Sequence, residues 1–145
     1  MTTESSFYDD HYYKTHYGKI FEPDYYERIS IFWKYAIFDA NKISIDIGTS
    51  VLDYGAGLGQ ISAALNADCF DPSPVALQFL KRKGRKVFDQ TTEIPSRHYN
   101  YVLSSHALEH ALNPTHELKE FRRVLSDKGV LIVILPAEKI PGLSC

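Results

Sequence analysis

Apolar positions change their rhythm several times along the chain. Ile29, Phe32, Trp33 and Ala36 recur at i, i+3, i+4 and i+7. That spacing marks one face of an amphipathic helix, so the stretch after Pro23 is predicted to be helical with this face against the core. From Ser50 the pattern shortens: Val51 and Leu52 open an apolar run, glycines follow at 55, 57 and 59, and Ile61, Ala64 and Leu65 repeat at helical spacing. This reads as strand, glycine turn, helix. The run ADCF leads to Asp71, with Ser73 as an N-cap, Pro74 at the first helical position and Gly84 as a stop, predicting a second strand and a helix over Val75 to Lys83. Lys86 to Phe88 and Tyr99 to Leu103 are predicted as the third and fourth strands. Asn113 and Pro114 then cap a helix on which Leu118, Phe121 and Leu125 share a face, and the turn SDKG leads into VLIVIL.

Strands that alternate with helices predict an α/β protein: a doubly wound parallel sheet with helices on both faces. The last run is apolar at every position, as suits a strand covered on both sides. Ligands of such sheets sit beyond the carboxyl ends of the strands, where strand order reverses. At 145 residues the chain has the length of one domain. It divides into an N-terminal arm with the amphipathic helix, residues 1–49, and a core, residues 50–145. Six of the ten tyrosines, Tyr8, Tyr12, Tyr13, Tyr17, Tyr25 and Tyr26, fall within that arm.

Composition narrows the function classes. With 44% hydrophobic and 23% charged residues the chain is globular rather than disordered. A formal charge of -2 provides no field for nucleic acid or an anionic membrane, so neither is an expected partner. The basic run Lys81 to Lys86 lacks interleaved aromatics and reads as a solvated helix end. No apolar run approaches the ~20 residues of a membrane helix, and the start MTTESSFYDD lacks the features of a secretory signal. Two cysteines, Cys69 and Cys145, form no disulfide framework and no metal-ligand spacing, so a reducing cytoplasm is expected.

The chemistry concentrates after the first strand. Glycines at 55, 57 and 59 allow a ligand to lie on the backbone, and a helix start behind them would offer unpaired N–H groups to an anion. Asp71 would close the second strand beside this turn, where a carboxylate can accept hydrogen bonds from both hydroxyls of a ribose. The dinucleotide pattern G-x-G-x-x-G would require a third glycine at position 60, where this chain has Gln60; the pattern here is G-x-G-x-G, which argues against NAD.

VLDYGAGLGQ, CFDPSP, SSHALEHALNP and RRVLSDKGVLIVILP occur in this order over about residues 50 to 136. In these motifs the chain resembles the class I S-adenosylmethionine-dependent methyltransferases, within the small-molecule group that carries a VLDxGxGxG loop and an LEH motif. The resemblance implies a Rossmann-like fold, S-adenosyl-L-methionine as cofactor and a small-molecule acceptor such as a sugar or natural-product intermediate. It implies that Asp53 with Gly55, Ala56 and Gly57 holds the amino and carboxylate groups of the cofactor's methionine half. Tyr54 and Gln60 of the same stretch join the cofactor-binding positions. By the same resemblance Asp71 would take the ribose hydroxyls, Pro72 and Ser73 would flank the adenine, Asp89 would accept from the adenine amino group, and Ser105 and His106 would approach the methionine part. Tyr17 or Tyr26 could close over the site as a lid. His106, Glu109 and His110 are the titratable groups expected nearest the methyl, with His106 first as general base because imidazole titrates near neutral pH. Glu109 and His110 also have a purely structural reading, as groups that bond the loop and cap the next helix.

Departures and rivals complete the expectations. Asn100 stands where the family often has aspartate, which would weaken a structural hydrogen bond. The family's C-terminal antiparallel strand pair has no counterpart here, which leaves VLIVIL as an apolar edge and predicts that Val130 to Leu135 pairs with another chain, as a homo-oligomer or with a different partner. A catalytically inactive cofactor-binding module, or a fragment completed by a partner, is the alternative function. His106 to His110 also spells the zinc pattern H-x-x-E-H, but that pattern needs a stable helix, and this one lies between a strand and Pro114; no metal is expected. No G-x-S-x-G is present and neither cysteine has an activating context.

Overall fold

Five parallel strands pair in the order β3-β2-β1-β4-β5 in a computed structural model, which describes residues 22–136 together with His11, Lys14, Thr15 and Gly18. The strands are β1 (Val51–Tyr54), β2 (Asp68–Phe70), β3 (Val87–Phe88), β4 (Tyr99–Ser105) and β5 (Leu125–Ile134). The helices are α1 (Pro23–Ile37), α2 (Pro74–Arg82) and α3 (Pro114–Val124). From β1 the chain moves outward to β3, then returns to the other side of β1 as β4, paired through Leu52 with Val102 and Asp53 with Leu103. The reversal of strand order therefore falls between β1 and β4, and the carboxyl ends of these two strands frame the ligand crevice of such a sheet.

Alternation along the strands builds two cores. Leu52, Tyr54, Phe70 and Val102 meet Phe121 and Val124 of α3 on one face. Val51 and Leu103 meet Ile37 and Phe38, with Trp33 beside them, on the other. Ala76 and Phe79 of α2 join Tyr26 of α1 and Leu58 in a third cluster. The sheet is covered on both faces, as the strand and helix pattern predicts.

Four local expectations need correction. On α1 the face turned inward is Tyr26, Ser30 and Ile37 with Ile29 and Trp33 half-buried, while Phe32 is 56% exposed. Ser30 can be buried because its Oγ accepts from Ala64 N at 2.6 Å. On α3 the inward residues are Glu117, Phe121 and Val124, whereas Leu118 is 48% exposed and Leu125 already belongs to β5. Here the buried Tyr54 hydroxyl donates to Glu117 Oε2 at 2.7 Å and draws a carboxylate into the core.

The predicted helix after the glycine turn is reduced to a 3-10 helix, Ala63–Leu65, closed by Asn66 in the left-handed region at φ 51. The stretch between Gly59 and β2 is roughly two helical turns long at ~3.6 residues each, and part of it must return the chain to the start of β2. Asn100, expected to weaken a structural hydrogen bond relative to aspartate, ties the start of β4 to Ser50: its Oδ1 accepts from Ser50 N at 3.0 Å and Ser50 Oγ at 2.9 Å. SDKG forms an irregularity within β5: Leu125 pairs with Tyr99 and Val130 with Tyr101, so residues 126–129 bulge from the ladder.

Candidate active site

The glycine turn hangs on the end of β2. Gly55 N and Ala56 N both donate to Phe70 O, at 2.8 and 3.0 Å. Gly55, Gly57 and Gly59 all adopt positive φ, at 80°, 54° and 69°, conformations that side-chain-bearing residues rarely accept. The next residue after β2, Asp71, closes the clasp: its Oδ2 accepts from Gly57 N at 2.7 Å and its Oδ1 from Ser73 N at 2.8 Å. Burial raises the pKa of this carboxyl, and the two backbone N–H groups oppose that effect. A carboxylate has about four lone-pair sites, so each oxygen keeps one for a further donor. Pro72 follows, and Ser73 Oγ accepts from Ala76 N at 3.4 Å to cap α2.

Asp53 is buried near the carboxyl end of β1, just before the turn. Burial pushes its pKa up to about 6; the Ser62 hydroxyl lowers it, the Asp71 charge raises it and Arg85 lowers it. Neighbouring Tyr54 turns its side chain into the α3 core, bonded to Glu117, so only its backbone reaches the strand end. Gln60 Oε1 is buried with no hydrogen-bond donor. A Cβ added at Gly57 would meet nothing within 4 Å, which leaves open space above the loop. Two buried carboxylates, an unsatisfied amide oxygen and bare backbone suit a ligand that carries an ammonium group and vicinal hydroxyls.

Tyr26 supports the loop from the core side. Its hydroxyl donates to Leu58 O at 2.9 Å, and Lys83 Nζ lies 4.5 Å from its ring centroid. Burial pushes this phenol up to about 12. In this position it props the turn rather than covering it; Tyr17, the other lid candidate, lies outside the described residues. Gly59 faces Tyr26 and α2 so closely that an added Cβ would stand 2.7 Å from Leu80 Cδ2. Gly59→Ala is therefore expected to cost about 1–3 kcal/mol, from overpacking and left-handed strain together. A urea denaturation midpoint unchanged from that of the parent would refute this.

At the end of β4, Ser105 pairs with Ile134 and His106 N donates to Ile134 O at 2.9 Å. His106 has φ 50, a left-handed conformation unusual for a residue with a side chain and of the kind that gathers at functional sites. Glu109 sits between two imidazoles, with Oε1 3.5 Å from His106 Nδ1 and 4.0 Å from His110 Nε2. The LEH stretch is a 3-10 helix, Leu108–His110, so the α-helical spacing that the zinc pattern requires is absent. Asp89 lies exposed after β3, its N–H donating to Glu93 Oε2 at 3.3 Å. A shallow cleft of about 400 Å³ lined by Ser44, Gly48, Thr49, Asn100, Tyr101 and Lys128 lies at the opposite, amino-terminal end of the strands.

Sequence reasoning missed Ser30, Ser62 and Arg85. Ser30 and Ser62 carry no motif. Arg85 belongs to the basic run read as solvated, yet its guanidinium is part-buried against the crossover between β1 and β2.

Comparison with known proteins bears on the family and the fold. The chain is 35% identical over 86 residues to uncharacterised proteins of Mycobacterium tuberculosis and Mycobacterium bovis, a match that covers 57% of this chain and 30% of theirs. It thus spans less than a third of the length of these curated relatives. A SAM-dependent methyltransferase from Thermotoga maritima superposes with a TM-score of 0.64 at 19% identity, over 84% of this chain and 57% of that one. A chain from the complex between a Haloferax volcanii methyltransferase activator and its methyltransferase partner gives 0.64 at 20% identity, over 92% of this chain and 60% of that one. At these identities the two structures speak for the fold alone. The model of a methyltransferase domain matches residues 24–141, most of the sequence. With its glycine turn, acidic strand ends and parallel sheet in the order found, the chain belongs to the methyltransferase domain family, built on the class I S-adenosylmethionine-dependent methyltransferase fold.

Proposed function

We propose that the chain binds S-adenosylmethionine and transfers its methyl group to a small-molecule acceptor such as a sugar or natural-product intermediate. The observation that carries this reading is Asp71, a buried carboxylate locked to Gly57 beside an open glycine cradle. In this reading Asp53, Gly55, Ala56, Gly57 and Gln60 hold the methionine half, Asp71 takes the ribose hydroxyls, and Pro72, Ser73 and Asp89 border the adenine. Tyr54 contributes backbone only, Ser105 and His106 approach the methionine end, and Tyr26 holds the loop in shape.

Bound there, the cofactor supplies a methyl group already activated by its sulfonium. What remains for the protein is alignment and exclusion of water, which contribute roughly 7–11 kcal/mol at the ideal limit. Where the acceptor must lose a proton, His106 is the proposed base: Glu109 stands against Nδ1, which leaves Nε2 to take the proton. His110 and Glu109 orient it.

Calorimetric titration with S-adenosylmethionine and S-adenosylhomocysteine, with NAD as control, tests the cofactor. Saturable binding of the first two and none of NAD is expected, and no binding by a folded chain would overturn the reading. His106→Ala is expected to bind normally and to lose about 100- to 10,000-fold in turnover. Normal turnover in that variant would remove the base assignment. Binding without turnover by the unaltered chain on any acceptor would favour the inactive cofactor-binding module.

The edge of β5 supports a partner. Val130, on the outer strand of the described sheet, and Leu135, just past its end, are 46% and 53% exposed, and the sequence from Val130 to Leu135 carries no Lys, Arg, Asp or Glu. The proposed pairing of Val130 to Leu135 with another chain predicts self-association at micromolar concentration in sedimentation velocity. A lone monomer peak would exclude the homo-oligomer. A structural neighbour found in complex with an activator protein makes a different partner the other form of the same proposal. No described helix is long and apolar enough to cross a membrane. A cytoplasmic location is proposed on the cysteine usage: Cys69 is buried, and its thiol is pushed up to about 12 by that burial, which leaves it inert.

A further inference from the structure

The crossover from β1 to β2 carries little helix to hold its shape. Only Ala63–Leu65 is helical, and within the turn Leu65 N donates to Ser62 O at 3.0 Å and Asn66 N to Ala63 O at 3.3 Å. One side chain adds a second donor to both carbonyls and ties them to a third, that of Ala67. Arg85 Nη1 donates to Ala63 O at 3.1 Å, and Nη2 donates to Ser62 O at 3.1 Å and Ala67 O at 2.6 Å. The placement of Arg85 follows from the end of α2. Gly84, at φ 72, donates from N to Lys81 O at 3.0 Å, and Arg85 N donates to Leu80 O at 3.0 Å, which turns the chain back toward the sheet.

The groups that face this guanidinium come from every neighbouring element. Asp53 stands on β1, Cys69 on β2 and Tyr26 on α1, and the Arg85 charge acts on all three against the effect of burial. Ser62, whose carbonyl Arg85 holds, places its hydroxyl beside Asp53, and Asp71 faces Asp53 from beyond β2. Lys83 and Lys86 are engaged elsewhere, over the Tyr26 ring and with Asp68. Arg85 is the cation that acts on Asp53.

We infer that Arg85 is a positioning residue of the cofactor site: its guanidinium stands in for the missing helix, holds Ser62 against Asp53 and supplies the positive charge that faces this buried carboxylate. The cofactor part of this inference rests on the proposed function; the clamp on the crossover does not. Arginine is needed because a planar fork of donors reaches several carbonyls at once, which an ammonium group on a single stem does not.

Arg85→Gln and Arg85→Lys test it in two measurements. The first is S-adenosylhomocysteine affinity between pH 5 and 8.5. In the parent the affinity is expected to fall as pH drops through about 6, where Asp53 takes up its proton. Arg85→Gln should move that midpoint upward, the direction that loss of an opposite charge produces. It should also weaken binding at least ~10-fold at pH 7, while Arg85→Lys should weaken binding and leave the midpoint in place. The two proteins differ at this one side chain, so the difference between their profiles isolates Arg85.

The second measurement is amide hydrogen exchange of residues 62–67 without ligand, expected to be faster in both variants. A uniform loss of affinity with an unmoved midpoint in Arg85→Gln would overturn the inference. So would unchanged exchange in both variants. Where Arg85→Gln fails to fold, parent-like affinity and exchange in Arg85→Lys overturn it. If the parent binds no S-adenosylhomocysteine, the cofactor reading has failed, and the exchange measurement still decides the clamp.

Discussion

Asp53→Asn is expected to stabilise the protein at pH 7.5 by about 1–3 kcal/mol and at the same time to abolish cofactor binding. Burial holds this carboxyl at a pKa of about 6, with the Ser62 hydroxyl and Arg85 only partly opposing the effect. An unfolded aspartic acid titrates at ~3.9. Between these values the folded state keeps a proton that the unfolded state has lost, so stability falls as pH rises from about 4 through 6. The deficit grows by ~1.4 kcal/mol for each pH step of one between the two values and is complete above that range. Asparagine is neutral throughout and escapes it. Thermal melting at pH 7.5 and pH 4 measures the effect. The variant should melt several degrees higher at pH 7.5, with the gap closing at pH 4, and a less stable variant at pH 7.5 would contradict the account. A residue whose removal strengthens the fold and removes a function is one held in place for binding.

Asp71→Ala is expected to act in the opposite direction on stability. This carboxylate is also buried, yet both its oxygens accept backbone N–H groups, from Gly57 and Ser73. Truncation leaves two donors without partners, at roughly 1–3 kcal/mol each where they stay dry, so a loss of about 2–4 kcal/mol is expected. The glycine turn is released with it, and S-adenosylhomocysteine affinity should fall at least ~100-fold. Asp71→Asn, which keeps one acceptor and sets an amide NH2 against the other N–H, should fall between. Urea denaturation of the three proteins orders them, and an Asp71→Ala variant as stable as the parent would show that the clasp contributes nothing. The two carboxylates face the same loop. Their opposite signs follow from what each has for partners: backbone donors for Asp71, and for Asp53 mainly the loss of water.

Much of this was legible in the chain itself. Local rules needed no tertiary context: Ser73 before Pro74, Asn113 before Pro114 and Gly84 at φ 72 each set a helix end where the sequence placed it. The alternation of short apolar runs with helical spacing was enough for a parallel sheet covered on both faces. The order of the glycine turn and Asp71 along the sequence was enough to bring them together, because parallel pairing of β1 with β2 aligns their ends.

Other features lay beyond the reach of any pattern. That Phe32 and Leu118 face outward while Ser30 and Glu117 face inward depends on partners 34 and 63 positions away, Ala64 and Tyr54. Periodicity counts apolar residues, whereas burial of a polar one is decided by whether a donor or acceptor waits for it. The helix expected after Gly59 yields to a 3-10 turn because the chain must return to β2 within a few residues. Arg85 takes that helix's place from a basic run that composition alone reads as solvated. The sequence by itself determined most of the elements, their order and the meeting of the glycine turn with Asp71. Tertiary structure alone decided which charges are buried, which backbone groups satisfy them and therefore which of two neighbouring carboxylates supports the fold and which one strains it, because those energies depend on long-range neighbours and the loss of water.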